Sequence, residues 1–162
     1  MDDFAIEVME VEDAEPLAGA LFQRAFGDSI PNFPRHFILS ASGSDARHST
    51  LGYVHFTRHQ DMYLGGGMCV DPQALRRLPK TCRQQLNEQG GVAFCLLSQA
   101  VKRLDDAPAV FGHVGHQGAY KIDLAVGFEP TQFPHLIVYW QQPLSQAAQQ
   151  DIIQRAHEVG PF

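Results

Sequence analysis

The stretch "NEQGGVAFCLLSQAVKRL" (Asn87–Leu104) limits what this chain can become more than any other. The helix it predicts over Gly91–Leu104 is apolar on most faces in its first half, so it has no solvated side there and is buried. The glycine pair that opens it admits two readings. Gly90 can take the left-handed conformation that ends a preceding helix. Alternatively, the glycine pair can be a backbone cradle for a phosphate at the helix start. Both can hold at once.

The rest of the chain supplies the elements that surround this helix. In "FAIEVMEV", Phe4, Ile6 and Val8 alternate with polar or smaller neighbours, a strand signal. Asp13 then caps a helix whose stripe is Ala14, Leu17, Ala18, Leu21, Phe22, Ala25 and Phe26, with Pro16 in the first turn and Gly27 at the end. "DSIPNFPRH" is irregular or a short helix. Strands follow in "HFILSA", "TLGYVHFTRH" and "MYLGGGMCV", with "SGSDARHS" as a polar turn between the first two. The glycines inside the third strand weaken it but let another backbone or a ligand approach. Asp71-Pro72 starts a helix. Gln73–Gln89 is helical with a break at Pro79. After the buried helix come a strand in "APAVFGHVG", a helix in "HQGAYKIDLAV" ending at Gly127, and two strands in "GFEPTQFPHLIVYW". A last helix in "SQAAQQDIIQRAHEVG" has Ala148, Ile152, Ile153, Ala156 and Val159 on one side. This order predicts an α/β chain with a mixed, mostly antiparallel sheet of about six to seven strands and helices on both faces. No repeat, linker or low-complexity tract interrupts it, so a single domain is expected over residues 1–162, with a core at 4–140 and a C-terminal helix at 145–159.

Composition narrows the function classes. The net charge of −6 argues against nucleic acid or an anionic membrane as the main partner. Cys69, Cys82 and Cys95 are odd in number and scattered, which fits a reducing compartment better than a disulfide framework. No apolar leader and no apolar run of ~18 residues is visible, so a cytoplasmic protein without a membrane partner is expected.

These pieces, in this order, resemble the GCN5-related N-acetyltransferase (GNAT) superfamily over roughly Phe4–Trp140. "IEVMEVEDAEPLAGALFQRAFG" is similar to that family's first strand and helix, and "LGYVHF" to its third strand. "YLGGGMCVDP" is similar to the fourth, "GGVAFCLLSQAVKRL" to the following helix, and "GFEPT" to the Gly-Phe that opens the sixth strand. The resemblance implies an acyl-CoA-dependent N-acyltransferase that moves an acetyl group from acetyl-CoA, or another acyl group from its CoA thioester, to a small-molecule or peptide amine by direct attack. The alternative it leaves is a GNAT-shaped acyl-CoA-binding or regulatory domain with little or no catalysis; a homodimer is compatible with either. The resemblance places the pantetheine arm on backbone groups of Met68, Cys69 and Val70, and the pyrophosphate on Gly90, Gly91, Val92 and Ala93.

The sequence departs from the family at two points. Glu88 stands where the phosphate motif has Gln or Arg, and Asp123 stands where many members carry the tyrosine that protonates the leaving thiolate. The nearest phenol is Tyr120, one helical turn earlier, and His116 occupies the position usually held by an Asn. Tyr120 and His116 are therefore the catalytic candidates. The segment before the glycine pair is longer than usual and holds Arg76, Arg77, Lys80 and Arg83, four of the chain's 12 Lys and Arg. Arg76 and Arg83 are candidates for the cofactor phosphates, against a solvated basic face.

The histidines give further candidates. His113 and His116 form an HxxH without an apparent third ligand, so no metal is expected. His55 and His59 share a strand face about 13 Å apart at a rise of ~3.3 Å per residue, too far for one metal. His55, His59 or His116 could each serve as general base through water. Cys69 and Cys95 lie in apolar surroundings and are expected to be inert. The acceptor pocket is expected between "GDSIPNFPRH" and "TQFPHL", whose Phe, Pro and His suggest an apolar or aromatic rim.

Overall fold

A computed structural model describes residues 4–32, 34–43 and 48–162. Phe33, in the stretch expected to be irregular, and Ser44–Arg47, in the expected polar turn, lie outside the described residues. The order is β1 (Ala5–Val11), α1 (Glu15–Phe26), β2 (Arg35–Ser42), β3 (His48–His59), β4 (Met62–Val70), α2 (Pro72–Arg77), α3 (Lys80–Glu88), α4 (Val92–Lys102), β5 (Ala109–His113), α5 (Gln117–Val126), β6 (Glu129–Pro130), β7 (Leu136–Trp140) and α6 (Gln146–Val159). The strands form a seven-stranded sheet in the order β1-β2-β3-β4-β5-β7-β6. The β1–β2, β5–β7 and β6–β7 pairs are antiparallel and β4–β5 is parallel, so the expected mixed sheet is present. The parallel pair needs a long crossover, which α2, α3 and α4 provide.

By contact density the chain divides into two compact units, Met1–His55 with Gly67–Ala100, and Phe56–Gly66 with Val101–Phe162. In the first, α1 lies on one face of the sheet and α4 on the other. The ring of Phe22 from α1 meets Tyr53 edge-on, with centroids 5.6 Å apart. A Cβ placed on neighbouring Gly52 would instead meet Val92 and Leu96 of α4 at 3.1 and 3.2 Å. Adjacent strand residues point to opposite faces, so this pair assigns one helix to each. Ala14, Ala18, Leu21, Phe22, Ile38, Tyr53 and Cys69 form the core beneath α1. The expected stripe of α1 is narrower than its pattern, because Leu17 and Phe26 remain 42% and 46% exposed. Helix α1 also starts one residue later than Asp13 predicts. Ala14 is its N-cap, and the Asp13 carboxylate accepts the Glu15 N–H at 3.1 Å instead.

In the second unit, Ile152, Ile153 and Ala156 of α6 cover Met62, Leu64, Ala109, Phe111, Leu136 and Val138. Arg155 ties α6 to the β3–β4 turn through Asp61 at 2.6 Å. The glycine-rich β4 pairs with β5 at Met62–Leu64, opposite Ala109–Phe111. At the next position a Cβ on Gly65 would stand 3.3 Å from the Phe111 carbonyl oxygen, which gives a steric reason for glycine there.

Asp71 closes β4 and caps α2, accepting the N–H groups of Gln73 and Ala74 at 3.0 and 3.1 Å and a side-chain bond from Arg24 at 3.2 Å. Asp71→Ala is expected to cost roughly 1–2 kcal/mol, mostly from the lost cap, read as a lowered urea midpoint. A midpoint equal to that of the natural protein would show that α2 needs no cap.

Candidate acyl-CoA site

Helix α3 ends by a backbone turn that uses both glycines. The N–H of Gly90 donates to Asn87 O (3.1 Å) and that of Gly91 to Leu86 O (2.8 Å). Both residues have positive φ, +104° and +93°, a conformation that disfavours any side chain. These two N–H groups are therefore spent inside the chain, and only the carbonyl of Gly91 enters α4, accepting from Cys95 N at 3.0 Å. The unspent donors are the N–H groups of Val92, Ala93 and Phe94, the first turn of α4, which have no carbonyl one turn earlier within the helix. The open donors at this turn thus begin at Val92, so of the expected Gly90–Ala93 only Val92 and Ala93 keep a free N–H. A Cβ on Gly91 would meet nothing within 4 Å, so the backbone is open to an approaching group beside these donors. Gly90 is closed by the Phe94 ring, which a Cβ would meet at 2.6 Å.

Glu88 is exposed at the end of α3. Gln84 Nε2 donates to its carboxylate at 3.1 Å, one turn back along α3. Of the basic segment, Arg76 is exposed and its Nε donates to Pro72 O at 3.2 Å. Arg77 and Lys80 are exposed as well. Arg83 differs: its Nε is sealed from solvent and has no hydrogen-bond partner among the described residues. An enclosed guanidinium donor without an acceptor is costly, and such groups are usually matched by a ligand or water. The free amides, the open face of Gly91 and the unmatched Arg83 donor together suit a phosphate-bearing ligand.

On β4, Met68 and Val70 are half-buried and Cys69 is buried in the α1 core, its thiol pushed up to about 11 by burial. Cys69 is thus packing, as expected, and offers a ligand only its main chain.

The core under α1 holds polar groups that sequence patterning missed. His36 and Tyr53 are buried and joined by a 2.7 Å bond between Nδ1 and the phenol oxygen. His55 is 7% exposed, with Phe22 and Tyr53 rings at 5.9 and 5.7 Å, and its Nδ1 is enclosed and unpartnered. Burial, with His36 as a second cause, lowers the His55 pKa to about 4. A base that weak is poorly matched to an alkylammonium, which weighs against His55 as general base.

In the second unit, His116 is the N-cap of α5, its Nδ1 accepting the Ala119 N–H at 3.4 Å. Tyr120 is half-buried one turn later. Asp123 is buried, and burial pushes its carboxyl up to about 6. His113 and His135 rings lie 5.7 Å apart, and Phe133 stacks on His157 at 3.6 Å. Of these, His113 and His157 line a cavity of about 180 Å³ to which the "TQFPHL" segment adds the apolar Pro134 and Leu136. The "GDSIPNFPRH" segment borders a separate cavity. In the first unit, Ser29, Ile30 and His36 share a cavity of about 440 Å³ with Glu12, Asp13 and Glu15, a rim more acidic than its local sequence implies. The carboxylates come from the β1–α1 junction, which only folding brings beside that segment.

Among the described residues no three His, Cys, Asp or Glu side chains are arranged to hold a metal ion, and no helix is long and apolar enough to cross a membrane.

No protein-family model and no curated protein matches the sequence. Solved structures do match. The ribosomal-protein-S18-alanine N-acetyltransferase of Escherichia coli superposes with a TM-score of 0.56 at 14% identity, over 88% of this chain and 97% of that one. The E. coli protein YhhK, solved bound to coenzyme A, gives 0.54 at 14% identity, over 84% and 98%. The KacTA–DNA complex follows at 0.47 and 15% identity, over 94% and 99%. The first two matches give the fold as the GNAT fold, as the sequence resemblance implied.

Proposed function

We propose that this protein is an acyl-CoA-dependent N-acyltransferase that moves an acetyl group from acetyl-CoA to an amine by direct attack. The observation that carries the reading is the row of unspent N–H donors at Val92, Ala93 and Phe94, opening the buried helix beside a glycine with free space. They would hold the pyrophosphate by hydrogen bonds and helix dipole. Arg83 would add charge from α3, with Arg76 as an outer, solvated contact. The main chain of Met68, Cys69 and Val70 would pair with the pantetheine arm.

With the substrates held by backbone groups, most of the catalytic effect would come from alignment. The proton inventory then decides the side chains: the acceptor ammonium loses one proton and the departing sulfur gains one. Tyr120 on α5 would be the proton donor. His116 keeps Nε2 for a proton-relay role while Nδ1 caps the helix. The histidine-lined cavity of the second unit and the acidic cavity of the first are separate candidates for the acceptor, and the acidic one suits a cationic amine. Buried, unpaired thiols at Cys69, Cys82 and Cys95 fit a cytoplasmic setting.

Thermal unfolding with and without acetyl-CoA tests the reading. Saturation at about 100 times Kd should raise Tm by roughly 5–10 °C. No shift at millimolar acetyl-CoA would defeat it. A shift without transfer to any amine of a broad panel would favour a GNAT-shaped binding or regulatory domain.

A further inference from the structure

The cavity beside the β1–α1 junction carries exposed carboxylates on its rim and a buried imidazole in its wall. Among the described residues, no cationic side chain pairs with Glu12, Asp13 or Glu15. Carboxylates at the start of α1 complement the helix dipole, and that alone accounts for their position. It does not account for His36. This side chain is 2% exposed, lines the same cavity and turns Nδ1 to the Tyr53 oxygen at 2.7 Å. Nε2 has no hydrogen-bond partner among the described residues, yet it is not one of the enclosed unpartnered atoms. It therefore meets the cavity that the ring lines.

Tyr53 fixes which nitrogen holds the proton. The residue is fully buried, and burial raises its pKa, so the phenol stays protonated. Its hydroxyl has no acceptor besides His36 among the described residues. A proton on His36 Nδ1 would leave the phenolic hydrogen sealed without an acceptor, a costly arrangement. The Tyr53 O–H therefore donates to Nδ1. Burial lowers the His36 pKa, with Asp13 partly opposing it, so the ring is neutral at pH 7 and its proton sits on Nε2. The cavity thus offers negative charge at its rim and one neutral N–H donor at its wall.

We infer that this cavity binds an ammonium group carried on the carbon next to a carbonyl, the arrangement found in an amino-acid amide and at the start of a peptide. The ammonium meets the carboxylates of Glu12, Asp13 and Glu15, and the carbonyl oxygen accepts from His36 Nε2–H. A simple alkylamine satisfies only the rim and leaves the donor unmatched. A free amino acid brings its own carboxylate against an acidic rim. An amide carbonyl supplies the acceptor without that charge. Binding stands apart from any reaction; that the bound amine is the one acylated rests on the acyltransferase reading above.

Nitrogen NMR of the imidazoles at pH 7, with His36 assigned by comparison with His36→Gln, reads the tautomer first. Nε2–H is expected, and Nδ1–H would overturn the inference. Titration with glycinamide, ethylamine and acetamide then reads the ligand. Glycinamide should bind about tenfold more tightly than ethylamine, and acetamide, which lacks the charge, should not bind measurably. Only glycinamide should shift the His36 Nε2 resonance. Glu12→Gln combined with Asp13→Asn should weaken glycinamide about tenfold with the fold intact by circular dichroism, since both side chains are exposed and asparagine can still accept the Glu15 N–H. Equal binding of glycinamide and ethylamine, or glycinamide binding that leaves the His36 resonance unmoved, would sink the site. Triglycinamide separates the two sources of the group. Binding as tight as that of glycinamide supports a peptide start, and weaker binding supports a small amide. Glycinamide bound beside acetyl-CoA without being acetylated would uphold the site and remove only its role as acceptor. Failure of acetyl-CoA to bind would defeat the acyltransferase reading and leave the site standing.

Discussion

Ala93→Pro should bind acetyl-CoA on the order of 10- to 100-fold more weakly than the natural protein while unfolding at nearly the same temperature. The asymmetry follows from the position. Ala93 is the second residue of α4, where the N–H has no intrahelical acceptor and proline's fixed φ already suits the helix. The substitution therefore removes one donor from the cradle without removing a helical hydrogen bond. A hydrogen bond to a charged phosphate is worth roughly 1.5–3 kcal/mol, which sets the range. Calorimetric titration reads the affinity, and thermal unfolding without ligand reads the stability. Unchanged affinity with an intact fold would show that the diphosphate does not sit on this helix. A Gly90 substitution would not discriminate so well, because its N–H and its φ of +104° both belong to the turn that ends α3.

Lowering the pH from 7 to 4 should remove roughly 2–3 kcal/mol of stability through His55 alone, allowing for some screening. Unfolded, His55 takes up its proton near the ordinary value of 6.5; folded, it stays neutral down to about 4. Across that window the unfolded chain binds the extra proton, so stability is full above 6.5 and declines as the pH falls toward 4. His36, lowered chiefly by burial, adds in the same direction, with Asp13 partly offsetting it. Asp123 acts with the opposite sign. Its folded pKa of about 6 lies above the ordinary 3.8, so its contribution diminishes as the pH rises between them. Urea unfolding at several pH values, comparing the natural protein with His55→Phe, isolates the histidine. Parallel acid losses in the two proteins would mean that His55 is protonated in the fold without penalty.

Much of the architecture was legible before folding. The break at Pro79 between α2 and α3, the glycine pair between α3 and α4, and the buried character of α4 all appear where the pattern puts them. Each depends on local chemistry: a ring that cannot donate, a backbone without Cβ, a helix with no polar side. The candidate site was legible only where it depends on main chain. The glycine pair pointed to the right turn, but of the four expected N–H groups only those of Val92 and Ala93 stay open, because those of Gly90 and Gly91 close α3. The sign of Glu88 was legible, whereas its hold by Gln84 was not.

What the sequence alone determined is the list of elements and the backbone breaks between them, since periodicity, proline and glycine act over a few residues. Tertiary structure alone decided which polar groups lost their water. Asp123, His36 and His55 look like ordinary surface-compatible residues in the sequence, and the acidic rim beside Ser29 and Ile30 is not contiguous in it. Desolvation depends on what residues distant in the chain bring over a group. Those neighbours set whether a carboxyl keeps its proton and whether an imidazole can take one.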